Sequence, residues 1–83
     1  MYQVLEQMVL GAEKRNVEQV LELNNEYATL AGRVYHKPLT PLEFEYDNCR
    51  VSCVMSVTML SDRHTELVLN AKERLSRIPK PLE

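Results

Sequence analysis

His64 stands between Asp62 and Glu66, and a helical histidine among carboxylates can carry a phosphoryl group or bind a metal. Cys49 and Cys53, four residues apart, add two thiols that could ligate a soft metal. Neither arrangement goes far. A thiol pair needs two further ligands, and His36 and His64 make no recognisable zinc spacing with it. The plainer readings are a partly buried histidine at the margin of a helical bundle and two buried thiols that behave as small hydrophobes. With two glycines in 83 residues there is no glycine-rich phosphate loop, and no Ser, His and Asp or Cys and His grouping can be assembled. The sequence is read as a non-enzyme that takes no cofactor and no metal.

The element that carries both thiols and His64 is the stretch from Thr40 to Ile78. Thr40, Pro41 and Glu43 spell an N-terminal capping box with proline in the first turn, where its missing N–H costs nothing. Glu43, Glu45 and Asp47 crowd the start while Lys72, Arg74 and Arg77 crowd the end, which suits the dipole of a single helix. Tyr46, Cys49, Cys53, Val57, Leu60, His64, Leu67, Ala71, Leu75 and Ile78 recur every three or four residues as one apolar stripe. Pro79 then ends it. The spacing predicts one helix over 41–78, a rod of nearly ~60 Å at 1.5 Å per residue.

Between Arg50 and Met59 the sequence also alternates, with Val51, Cys53, Met55, Val57 and Met59 on one parity, as a half-buried strand would. No Gly, Asn-Gly or Pro punctuates either end of that segment, and no second strand is available to pair with it, which favours helix.

Two shorter helices precede the rod. Tyr2, Leu5, Met8, Val9 and Ala12 give an amphipathic pattern over 2–14. Asn16 followed by Gln19 resembles a fresh N-terminal cap, so a break is placed there; if Asn16 instead lies mid-helix, the first two helices are one. Over 17–35, Val17, Val20, Leu21, Asn24, Tyr27, Ala28, Ala31 and Tyr35 hold a face widened by Leu23, Leu30 and Val34, broad enough to touch two neighbours. His36, Lys37 and Pro38 form a short turn, which makes the second and third helices antiparallel. Residues 79–83, with two prolines around Lys80, read as a disordered tail. The expected fold is all-α: one elongated antiparallel three-helix bundle or hairpin with a long C-terminal helix.

A net charge of −2, mixed evenly in sign, provides no basic stripe for nucleic acid and no polybasic patch for a membrane. The N-terminus has no signal-peptide pattern and no apolar run approaches a bilayer span, so the chain reads as cytosolic.

Folding the second helix back from Thr40 sets Val17 opposite Leu60 and leaves residues 61–78 uncovered. That overhang carries Leu67, Val68, Ala71, Leu75 and Ile78, an apolar face a soluble monomer should not leave bare. Three readings stay open: a homodimer, a bend in the third helix, or a groove for another protein's helix. As a groove, these five positions with His64, Tyr27 and Leu30 are the candidate partner-binding residues.

LEQMVLGAEKRNVEQVLELNNEYATLAGRV at 5–34 and LSDRHTELVLNAKERLSRI at 60–78 resemble the flagellar export chaperones of the FliT family. The likeness rests on Leu23 to Tyr27 and on Asp62 followed by Arg74 and Leu75. It departs from the family at Val17, where a tryptophan is frequent, and at Asn24, where an acid is. Family members commonly add a fourth helix that masks the binding groove, and this chain ends just past Pro79, so the resemblance implies an unmasked groove. It further implies a cytosolic chaperone that holds the C-terminal helical segment of the filament cap protein and engages the export ATPase and the flagellar master transcription regulator. A different expectation from the same pattern is a small homodimeric helical regulator, such as a phage or plasmid repressor, or another secretion chaperone.

Overall fold

The computed structural model describes residues 1–59 and 62–80. It is all-helical: α1 (Tyr2–Glu13), α2 (Val17–Val34), α3 (Pro41–Thr58) and α4 (His64–Arg77). Among the described residues there is no strand, and Val51 to Thr58 are helical. No described helix is long and apolar enough to cross a membrane.

Local chemistry sets most of the boundaries. The last turn of α1 closes with Asn16 N–H donating to the Gly11 carbonyl at 2.9 Å and Arg15 N–H to the Ala12 carbonyl at 3.1 Å, a Schellman pattern that puts Arg15 in the left-handed region at φ 55°. The Asn16 side chain then caps α2 by accepting from the Gln19 N–H at 3.2 Å, so the first two helices are separate. Thr40 and Glu43 form the full capping box of α3. Glu43 does more than this: its carboxylate also accepts from the N–H of His36 at 3.0 Å and meets His36 Nδ1 at 2.9 Å, tying the start of the α2–α3 turn to the start of α3. Burial alone would raise the Glu43 pKa, but bonds from the Thr40 N–H and from the ring and N–H of His36 outweigh it and bring it down to about 2.

The single helix expected over 41–78 is two helices. Met59 is extended, at φ −84° and ψ 131°, and α4 begins at His64. The second half of α4 packs back along α3: the Cys49 thiol donates to the Ala71 carbonyl at 3.5 Å, and Arg74 reaches Glu45 at 3.5 Å. These pairings make α3 and α4 antiparallel neighbours. The energetic reason is burial. Leu67, Val68, Leu75 and Ile78 are each at most 8% exposed, and burying a large aliphatic side chain contributes about 1.5–3 kcal/mol. Four such side chains outweigh the few helical hydrogen bonds a break forfeits, each worth about 0.5–1.5 kcal/mol net. The ~60 Å rod is likewise replaced by a body of 34 × 26 × 23 Å with a radius of gyration of 12.1 Å.

The core runs between the four helices. Val4, Leu5, Met8, Val9 and Ala12 of α1 meet Val20 and Tyr27 of α2, Cys49 and Cys53 of α3, and Val68, Ala71, Leu75 and Ile78 at the α4 end. α1 and α3 each touch the other three helices, whereas α2 touches α1 and α3. Both thiols are free and fully buried. Residues 79 and 80 carry no regular structure; the rest of the expected tail, and Leu60 opposite Val17, lie outside the described residues.

Candidate functional site

The residues expected to form an open groove are mostly core. Leu67, Val68, Ala71, Leu75 and Ile78 are the buried face of α4 and its C-cap, pressed into the space between α1 and α3. The uncovered overhang therefore does not exist, because the bend at Met59 lays that face on the bundle. Tyr27 is 2% exposed, and its hydroxyl lies 2.6 Å from that of Tyr35 with the two rings edge to face. Arg50 sits over the Tyr27 ring at 5.5 Å, which fixes the α2–α3 register. Desolvation and the Tyr35 hydroxyl push the Tyr27 phenol well above the usual range. Leu30 is half-buried against the core. None of the five apolar positions, nor Tyr27, is available to a partner in this arrangement.

His64 is half-buried, and its Nε2 lies 2.7 Å from the Ala12 carbonyl oxygen. The ring donates there, at the negative end of the α1 dipole. Beside it, Glu13, Thr65, Val68, Leu69 and Lys72 complete an open cleft of about 220 Å³. The two charged groups of that cleft, Glu13 and Lys72, pair with each other at 3.0 Å. Such a cleft offers neither an activated nucleophile nor an acid–base couple. Among the described residues no three of His, Cys, Asp and Glu gather as a metal site.

What the bundle does leave open is the outer face of α3. At 100° per residue, Phe44, Asn48, Val51 and Met55 lie on the side of the helix opposite Cys49 and Cys53. Phe44 is 56% exposed, Met59 at the C-cap is 41% exposed, and Val51 and Met55 are half-buried and lie outside the core cluster. The stretch from Val51 to Met59 contains no charged residue. A helix apolar on both faces is normally covered on both. The acids bordering the face are already paired within the chain, Asp47 with Arg50 at 2.6 Å and Glu45 with Arg74. Sequence reasoning missed this face because it ascribed the apolar surplus of 41–78 to one stripe. The signal lies in Val51 and Met55, which share one parity with Cys53, Val57 and Met59 but fall on the opposite side of a helix from Cys53.

Compared with known proteins, the chain matches no family model, no curated protein and no solved structure.

Proposed function

We propose that the chain is a non-catalytic binding module whose partner is an amphipathic helix of another protein, received on the outer face of α3. The observation that carries this reading is the second apolar face of a helix whose first face is already committed to the core. An amphipathic helix laid along Phe44, Val51, Met55 and Met59 would bury those residues in the way such grooves are used.

On the resemblance to flagellar export chaperones, the partner is the C-terminal helical segment of the filament cap protein. The chain is then a cytosolic chaperone that delivers this segment to the export ATPase and engages the flagellar master transcription regulator. In that setting α4 takes the place of the fourth helix the chain was expected to lack. It fills the space between α1 and α3, so a partner must use a face that α4 leaves open. The test is calorimetric titration of a peptide spanning the cap-protein segment against the wild type and Met55→Lys. Saturable binding that weakens tenfold or more in the variant, about 1.4 kcal/mol, supports the reading. A peptide that ignores the wild-type protein overturns it.

A further inference from the structure

We infer that Cys49 and Cys53 form a two-coordinate site for a soft monovalent metal ion, copper(I), on the inner face of α3. The inference concerns the core and requires none of the partners named above.

The geometry begins with the helix. α3 is unbroken across both thiols, so their Cβ atoms stand about 5–6 Å apart, as helical neighbours four residues apart do. A disulfide needs about 3.5–4.5 Å between Cβ atoms, so the helix opposes oxidation of the pair to a disulfide, and both thiols are free. A metal ion between them fits better. Two thiolate–metal bonds of about 2.3 Å laid end to end span about 4.6 Å, which rotation of the two side chains reaches without moving the backbone. The sulfurs already turn to each other: the Cys53 thiol bonds to the Cys49 sulfur, and the Cys49 thiol donates to the Ala71 carbonyl at 3.5 Å.

The ligand set chooses the ion. Among the described residues no third His, Cys, Asp or Glu joins the pair, so zinc, which takes four ligands in structural sites, is left short. Copper(I) is selected by thiolates, and its low charge and filled d shell are satisfied by two of them in line. Both thiols are fully buried, which keeps water from adding as a further ligand.

Charge is the remaining condition. Binding exchanges two thiol protons for one copper(I) ion, so the neutral pair gains one net negative charge. A buried charge needs a counterion. Arg74 of α4 supplies it: its charge acts on the Cys49 sulfur, and its Nε–H is buried without an acceptor, although its Nη1 meets Glu45.

The experiment is an anaerobic titration of the reduced full chain with copper(I) buffered by bicinchoninate, followed by X-ray absorption at the copper edge. One ion per chain should be taken from the chelator, with an edge showing two sulfur ligands, unchanged helical circular dichroism and a raised melting temperature, as for any ligand of the folded state. Cys49→Ala and Cys53→Ala, each checked for retained helicity, should lose affinity about a hundredfold or more. A wild-type chain that takes no copper, or takes it only as its helicity is lost, overturns the inference. So does a folded variant with both thiols replaced that binds as tightly as the wild type. Should the variants not fold, the wild-type edge decides alone: three or more ligands, or nitrogen or oxygen ligation, overturns it. Peptide binding at the outer face of α3 is a separate readout, so either proposal can fall while the other stands.

Discussion

The imidazole of His64, the first residue of α4, places Nε2 2.7 Å from the carbonyl oxygen of Ala12 in the last turn of α1. That carbonyl also accepts from the Arg15 N–H, so His64 joins the closing turn of one helix to the opening turn of another. Removing the ring should cost about 1 kcal/mol, the net worth of one hydrogen bond, and lower the melting temperature by about 4–8 °C in a domain of this size. His64→Ala followed by thermal circular dichroism checks this. A melting temperature that does not move would mean the ring contributes nothing to the fold and leave a partner contact as its use.

The buried face of α4 should behave as core. Leu75→Ala or Leu67→Ala should destabilise by about 2–5 kcal/mol, as large-to-small changes in packed interiors do. Urea unfolding of the two variants measures it. Small losses, under about 1 kcal/mol, would mean that α4 is only loosely held against α1 and α3.

Arg15 occupies a left-handed backbone position at φ 55° where glycine is the usual residue. Arg15→Gly should stabilise the protein by about 0.5–1 kcal/mol, the relieved steric cost being partly offset by the added freedom of the unfolded chain. The direction is what matters, and a chemical denaturation midpoint gives it.

Glu43 gives the pH dependence a sign. Its folded pKa, about 2, lies below the ordinary glutamate value of about 4.3. The stabilisation from its bonds is therefore fully present above about pH 4.3 and is lost as the pH falls from there towards 2. In Glu43→Gln the fall of stability across that window should be shallower than in the wild type. Identical slopes would show that the capping carboxylate is not tied down as described.

Tyr27 predicts the opposite limb. Its phenol is held above its usual value by burial and by Tyr35, so the folded state is penalised once the unfolded phenol ionises, above about pH 10. Absorbance titration of the four tyrosines should show at least one that ionises only as the fold is lost. Tyr35→Phe, which leaves the buried Tyr27 hydroxyl without this partner, should cost about 1–3 kcal/mol.

Much of this arrangement is legible in the residues themselves. The capping box at Thr40 and Glu43 and the break at Asn16 both rest on side chains bonding to backbone within three positions, and local sequence records such contacts. So does the antiparallel α2–α3 register, set by a short turn and seen in Arg50 over Tyr27. The bend after Thr58 is different. No glycine or proline lies between Pro41 and Pro79, and the stripe from Tyr46 to Ile78 reads through without a fault. The helix stops there because Leu67, Val68, Leu75 and Ile78 gain more by folding back than by extending, and that balance depends on α1, far away in sequence. The same distant cause turned the candidate groove into core. It also left Phe44 and Met59, rather than the overhang, among the exposed apolar side chains of 41–78.

The account turns on α3 having one face for the fold and another for binding, and the most direct measurement is a paired one on Met55→Asp: urea unfolding together with titration of the cap-protein peptide. The account predicts a change in stability under about 1 kcal/mol, as for surface substitutions, with peptide affinity reduced at least tenfold. Unfolding comparable to that of Leu75→Ala, or undiminished affinity in a folded variant, would contradict it.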